Sequence, residues 1–154
     1  MKYEGTLIVV KDIERSKRFY QEVLGLEVVK DFGANVTLTG GVILQTLNTW
    51  KGFIQKQDSQ ILFENNAAEL YFEEDEMDAF LEKLQQILNI EYVNPVIEYS
   101  WGQRVVRVYD PDKHIIEVGE NITLFVRNLF SDGLSVDEIA AKMDVPVDFV
   151  RSCL

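Results

Sequence analysis

The sequence predicts an α+β fold in which two βαβββ units form a curved mixed sheet around a cleft, followed by a C-terminal three-helix tail. Three observations predict it. Short apolar, β-branched segments surround two amphipathic helical segments, the second half of this pattern repeats the first, and the strand pattern ends after Gly119. We therefore expect one domain over residues 1–120, with units at 4–47 and 68–119, and a helical extension over residues 121–154.

The first unit opens with a short apolar strand, Gly5 to Val10. Asp12 can cap the helix that follows, and apolar residues then recur every three or four positions until Gly25 ends the helix. Three further strands are predicted at residues 26–30, 35–39 and 42–47. Residues 48–66 carry no regular pattern, so we expect an irregular stretch there.

The second unit repeats this order of elements. A strand over residues 69–73 and a helix over 76–88 are followed by strand segments at 90–93, 96–99, 104–109 and 115–118. A constant shift of 64 residues pairs Ile13 with Met77 and Tyr20 with Leu84. Two related units of this kind are expected to leave a concave cleft between their sheets, where a ligand would bind.

Composition and charge narrow the classes of function. The chain has 15 basic and 26 acidic residues, a net charge of −11, which repels phosphates and argues against a nucleic-acid partner. No apolar stretch approaches the roughly 20 residues that cross a bilayer, and the N-terminus does not resemble a secretion signal. The single cysteine, Cys153, cannot form an intramolecular disulfide. We expect a cytoplasmic protein with a free thiol and no membrane partner.

Two sequence motifs carry further information, one around the first predicted helix and one around the last two predicted strands. The first runs from Val10 to Ser16 and continues with Phe19-Tyr20 and Leu24-Gly25-Leu26. The second comprises Trp101-Gly102-Gln103-Arg104, Tyr109-Asp110-Pro111-Asp112, His114 and Ile116-Glu117. In this order, and with the internal repeat, they resemble the first-helix and closing-hairpin signatures of the vicinal-oxygen-chelate superfamily, which includes glyoxalases, bleomycin resistance proteins and extradiol dioxygenases.

The resemblance implies a possible metal site. Enzymes of the superfamily take one ligand each from the first, fourth, fifth and eighth strands, and the ion acts as a Lewis acid on the substrate. Carried onto this chain, these positions fall on Gly5, Gln45, Glu69 and Glu117. Two carboxylates and an amide oxygen suit Mg²⁺ or Mn²⁺ better than Ni²⁺, Zn²⁺ or Fe²⁺. Because glycine offers no ligand, we expect no cofactor, with a divalent metal as the alternative.

Other candidate residues lie near the same motifs. The predicted ligand-binding cleft residues are Trp50, Phe53, Trp101, Gln103 and Arg104. The aromatic rings among them could stack on a flat apolar ligand. For each of the five residues, packing in the core or in an interface is the alternative. Arg104 could instead pair with Glu117. His114, the only histidine, stands three residues before Glu117 and should point to the other face of the strand or lie on the turn.

These residues favour a small-molecule-binding protein that sequesters an apolar or aromatic ligand, with no catalytic residue assigned. The alternative is a divalent-metal-dependent lyase, isomerase or dioxygenase, so enzymatic activity is left open. By analogy with the superfamily we expect a homodimer.

The predicted tail has helices at residues 122–130, 135–143 and 147–154, of which the last two resemble a helix-turn-helix. Residues 121–154 contain three basic and five acidic residues, a net charge of −2, which disfavours DNA binding. We expect a packing appendage, and a regulatory module acting through these helices is the second alternative.

Overall fold

The computed structural model describes residues 1–154 and confirms the predicted α+β class, with two four-stranded mixed sheets and three C-terminal helices. The elements are β1 (Thr6–Val10), α1 (Ile13–Leu24), β2 (Val28–Asp31), β3 (Asn35–Leu38), β4 (Val42–Thr46), α2 (Leu47–Ile54), β5 (Glu69–Glu74), α3 (Met77–Gln86), β6 (Glu91–Glu98), β7 (Arg104–Tyr109), β8 (Ile115–Glu120), α4 (Ile122–Ser131), α5 (Val136–Met143) and α6 (Val147–Cys153). They form two compact units, one of residues 1–68 with 109–114 and one of residues 69–108 with 115–154.

The first sheet has the order β1-β4-β3-β2, with β1 parallel to β4 and the other pairs antiparallel. Helix α1 contacts β4. As expected, it begins after Asp12, whose side chain accepts a hydrogen bond from the backbone N–H of Arg15, and it ends at Gly25 in the left-handed conformation. Tyr20 and Val23 of this helix are fully buried, because they lie on its apolar face.

The second sheet repeats this arrangement as β5-β8-β7-β6, with β5 parallel to β8. Met77, Phe80 and Leu84 of α3 are buried, and so are four apolar residues of β7 and β8 whose side chains lie on one face of the sheet. These strand residues are Val106, Val108, Ile116 and Val118. The opposite face of the same sheet carries polar and aromatic side chains and holds the candidate site.

Two local features differ from the sequence predictions. Residues 48–54, expected to be irregular, form most of the helix α2 (Leu47–Ile54), which packs on β1 and β4 and includes Thr49, bonded to Gln45. Such a short helix is stabilised by tertiary contacts rather than by its own propensity. The two predicted strand segments around Pro95 form one strand, β6. Proline is tolerated there because β6 is an edge strand.

The tail helices share a small core of their own. Val126, Ile139, Ala140, Met143, Val150 and Cys153 are buried together, with partly buried apolar residues packed around them. Ser135 and Glu138 form the predicted capping box at the start of α5. Arg127 donates to the carbonyl oxygen of Cys153 at 2.7 Å, which ties α4 to the end of α6. Cys153 is a free, buried thiol. None of the six helices has the length and apolar character needed to cross a membrane.

Candidate functional site

The centre of the candidate site is an ion pair between Glu117 and Arg107 on neighbouring strands of the second sheet. The backbone N–H of Asp110 donates to the carbonyl of His114 and closes the β7–β8 hairpin, so three residues further along each strand Arg107 lies opposite Glu117. Nη2 of Arg107 contacts Oε2 of Glu117, whose side chain is only 10% exposed. A carboxylate buried to this degree is strongly destabilising unless a cation compensates it.

The same guanidinium also binds Glu69, at the start of β5. Nε of Arg107 donates to Oε2 of Glu69 at 3.0 Å. The β5–β8 register pairs Glu69 with Ile115 and Tyr71 with Glu117, so the side chains of Glu69 and Glu117 lie on the same face of the sheet. We call Glu69, Arg107 and Glu117 the Arg107 triad. It contains one cation between two carboxylates on three adjacent strands.

Aromatic side chains surround the triad. Tyr71 is 52% exposed, and its hydroxyl donates to Glu73 at 3.0 Å. Burial of the phenol and its hydrogen bond to Glu73 raise the pKa of Tyr71 to about 12. Burial acts to lower the pKa of Arg107, but hydrogen bonds to Glu69 and Tyr99 outweigh it and raise that pKa above its usual value. Arg107 therefore stays charged under all ordinary conditions.

The three candidate cleft residues of the second unit make contacts within the protein. Trp101 stacks on Tyr99 with ring centroids 4.5 Å apart and packs against the tail core, while its Nε1 donates to Gln103. Gln103 is buried and donates to the carbonyl of Glu120 at 2.8 Å. Arg104 binds Glu120 at 2.6 Å and Asp78 of α3 at 2.5 Å. It therefore lies on the helix side of the sheet, and the side chain that pairs with Glu117 is that of Arg107.

The remaining candidates lie in the first unit. Both functional groups of the buried Gln45 amide are used, since Nε2 donates to the carbonyl of Ala34 and to Thr49, and Oε1 accepts from Asn35 at 2.8 Å. The two aromatic candidates, Trp50 and Phe53, lie on α2. Trp50 is half-buried and Phe53 is 71% exposed.

Gly5 shows why the first ligand position carries no side chain. A Cβ added there would lie 2.3 Å from the carbonyl oxygen of Gly41 and 3.3 Å from Cδ1 of Ile43. The 64-residue repeat makes Gly5 the counterpart of Glu69. The β1–β4 register then makes Ile43, rather than Gln45, the counterpart of Glu117. Two uncharged residues of the first repeat thus correspond to the two carboxylates of the triad in the second.

A second buried carboxylate, Asp110, has a structural role. Its Oδ1 accepts hydrogen bonds from the backbone N–H groups of Asp112 and His114, both at 2.8 Å, and its Oδ2 accepts one from Tyr20 at 3.0 Å. Burial raises the pKa of Asp110, although the nearby His114 and the hydrogen bonds act to lower it. Nε2 of His114 lies 2.7 Å from the carbonyl oxygen of Val9. These contacts hold the hairpin turn against α1 and β1.

The donor set does not fit the divalent cation that the resemblance implies. The two carboxylates at the implied positions share the guanidinium of Arg107, and the oxygen of Gln45 already accepts a hydrogen bond. No group of three or more His, Cys, Asp or Glu side chains is placed to hold a metal ion. A cation at these carboxylates would have to compete with Arg107.

Sequence reasoning missed Arg107, Tyr71 and Tyr99. A usable signal was present, because Arg104 and Arg107 are three residues apart on one strand and must point to opposite faces. Only one of them could pair with Glu117, and the five residues between the strands, 110–114, determine which.

Known proteins with similar sequences or structures agree with this fold. The family model of the glyoxalase-like domain matches residues 3–123. A protein of unknown function from Agrobacterium tumefaciens str. C58 is 37% identical with a TM-score of 0.69, and the match covers 79% of this chain and 95% of that one. A search of curated proteins found no match.

Two more distant structures show the same fold. A glyoxalase/bleomycin resistance protein/dioxygenase family enzyme from Burkholderia phytofirmans PsJN is 14% identical with a TM-score of 0.65, and the match covers 76% of this chain and 96% of that one. The fosfomycin resistance protein FosX from Mesorhizobium loti is 18% identical with a TM-score of 0.58, and the match covers 81% of this chain and 97% of that one.

Proposed function

The chain belongs to the glyoxalase-like domain family, and from that premise we propose that it is a metal-independent binding protein that sequesters an apolar or aromatic small molecule. The observation that carries the proposal is the Arg107 triad. Glu69 and Glu117, the two carboxylates at the family's metal positions, are both ion-paired with Arg107. A divalent ion would have to displace a partly buried guanidinium, and the protein would then lose both ion pairs.

Aromatic rings next to the triad support an aromatic ligand. Tyr71 is about half-exposed, and Tyr99 stacks on Trp101 beside Arg107. Tyrosine and tryptophan rings offer large apolar surfaces with defined geometry, and stacking on them contributes about 0.5–1.5 kcal/mol beyond the buried area. We therefore propose that the ligand contacts Tyr71 and Tyr99.

Charge near the site indicates which aromatic molecules are favoured. Glu69, Glu73 and Glu117 supply three carboxylates against the single guanidinium of Arg107. The chain as a whole carries −11. Because this field repels anions, the proposed ligand is neutral or cationic rather than anionic.

Fluorescence titration with three aromatic dyes of matched ring size, one cationic, one neutral and one anionic, tests the proposal. We expect the anionic dye to bind most weakly and Tyr71→Ala to weaken binding of the other two. Phe53→Ala is the matched control, because Phe53 is an exposed aromatic residue of the first unit. Preference for the anionic dye, or unchanged binding by Tyr71→Ala with loss in Phe53→Ala, would contradict the proposal.

We also propose a cytoplasmic homodimer, by analogy with the family. Light scattering coupled to size-exclusion chromatography measures the molar mass directly. A mass near the 17.8 kDa of one chain would reject the dimer.

A further inference from the structure

We infer that the guanidinium of Arg107 is a built-in replacement for a divalent cation, so that removal of this one side chain converts the Glu69–Glu117 pair into a metal-binding site. The inference concerns the protein's own charges and does not depend on which ligand the site binds, if any. Glu69 and Glu117 would then bind a divalent cation once the charge of Arg107 no longer occupies the space between them.

The first supporting observation is the position of the charge. One guanidinium reaches both carboxylates, with Nε on Glu69 at 3.0 Å and Nη2 on Glu117. The three residues come from β5, β7 and β8, which are adjacent in the order β5-β8-β7. A cation held between two carboxylates is the arrangement in which a hard divalent ion would be bound by oxygen ligands.

The second observation is the burial of Glu117. Its side chain is 10% exposed, and its Oε2 contacts Arg107 but accepts no hydrogen bond from any group of the protein. The charge of Arg107 is therefore what compensates this oxygen. Without that charge, Glu117 needs a proton or another cation.

A second arginine of the same strand provides a matched comparison. Arg104 also bridges two carboxylates, those of Glu120 and Asp78. The Asp78 side chain is 83% exposed, so water can compensate it when the arginine is lost, and Glu120, which is 19% exposed, keeps its hydrogen bond from the backbone N–H of residue 104. The latent metal site should therefore appear on removal of Arg107 and not on removal of Arg104.

The experiment compares four full-length proteins stripped with chelator: wild type, Arg107→Met, Arg104→Met and the double variant Arg107→Met/Glu117→Gln. Methionine keeps an apolar stem and removes the charge. Binding is measured from the loss of the free Mn²⁺ signal in electron paramagnetic resonance, and stability from thermal unfolding with and without Mn²⁺. A Kd of about 0.1 mM at about 1 mM Mn²⁺ would raise the folded-to-unfolded ratio about tenfold.

We expect Mn²⁺ to bind Arg107→Met and to raise its Tm, and to do neither in the other three proteins. Binding of Mn²⁺ to wild type as tightly as to Arg107→Met would overturn the inference, as would a folded Arg107→Met that does not bind Mn²⁺ or an equal response in Arg104→Met. If Arg107→Met folds only when Mn²⁺ is present, that supports the inference. If it does not fold at all, Arg107→Gln undergoes the same titration, because glutamine keeps hydrogen-bond donors without the charge, and absence of Mn²⁺ binding there overturns the inference.

Discussion

The two repeats of this chain share strand order and register but differ in what lies at the equivalent positions. In the second repeat, Glu69 and Glu117 flank the charged side chain of Arg107, whereas in the first repeat the equivalent positions hold the uncharged residues Gly5 and Ile43. Gln45, the buried polar residue of β4, is a neutral amide whose nitrogen and oxygen both take part in hydrogen bonds. One topology therefore supports a charged centre in one copy and an uncharged one in the other.

The difference shows that the fold forms without charged residues at the positions where the family binds a metal. Burial of a charge requires a partner, and the second repeat supplies it with an arginine from the neighbouring strand. The first repeat avoids the problem by having no charge there. Changes that unbalance the charges of the second repeat should therefore reduce the free energy of unfolding the most, and changes that put charge into the first repeat should reduce it almost as much.

The largest effect is expected from Arg107→Met. It leaves the buried Glu117 without its cation, and removal of one partner of a buried ion pair costs about 3–5 kcal/mol. Urea unfolding at neutral pH measures the loss in the free energy of unfolding. The double variant Arg107→Met/Glu117→Gln should recover part of that loss, since it removes the uncompensated charge. If the double variant is no more stable than the single one, the ion pair does not account for the cost.

Gly5→Ala tests the first repeat at the position that corresponds to Glu69. The new Cβ would lie 2.3 Å from the carbonyl oxygen of Gly41, so the two strands must separate. Overpacking and backbone strain together should cost about 3 kcal/mol. Gly40→Ala is the control, because Gly40 also has a positive φ but no atom within 4 Å of an added Cβ. Equal losses in the two variants would mean that close approach of the strands is not the cause.

Gln45→Glu places a carboxylate among neutral groups of the first repeat. One of its oxygens would face the carbonyl of Ala34, which now accepts from the amide, so the charged form should cost about 2 kcal/mol. Because burial raises the folded-state pKa of such a group, the loss should be large at neutral pH and shrink as the pH falls. Gln45→Leu, which removes the polar group without adding charge, should show no such pH dependence. A loss that does not change with pH would contradict this explanation.

Asp110 is a buried carboxylate outside the triad, and its hydrogen-bond donors are the Tyr20 hydroxyl and two backbone N–H groups. Burial raises its pKa in the folded protein above the unfolded value near 3.8. The folded state then binds the proton more tightly, so this contribution to stability is present at low pH and is lost as the pH rises from 3.8 through the raised folded value. The stability difference between wild type and Asp110→Asn should therefore change in favour of the variant over that range. A flat difference between pH 3 and 7 would show that the pKa of Asp110 is unchanged by folding.

The fold could be predicted well from the sequence, because the fold depends on local patterns that the two units repeat. The helix spacing around Tyr20 and Leu84, the glycine that ends α1 and the capping box of α5 each act within a few residues. The site depends instead on contacts between strands. Residue type alone could not distinguish Arg104 from Arg107 as the partner of Glu117, and Trp101 and Gln103 bond each other and the backbone next to the tail. The helix α2 was missed for a similar reason, since its stabilising contacts are with β1 and β4.

The smallest effect is expected in the tail, which has a separate apolar core within the second unit. Ser135 accepts a hydrogen bond from the backbone N–H of Glu138 and receives the Glu138 carboxylate on its own N–H. Ser135→Ala removes one half of this box and should cost about 1 kcal/mol. Amide hydrogen exchange should show the loss in α5 and α6, with protection of β7 and β8 unchanged. If exchange rises equally in β7 and β8, the tail and the charged centre of the second repeat unfold as one cooperative unit. A substitution in the Arg107 triad would then also raise amide exchange in the tail.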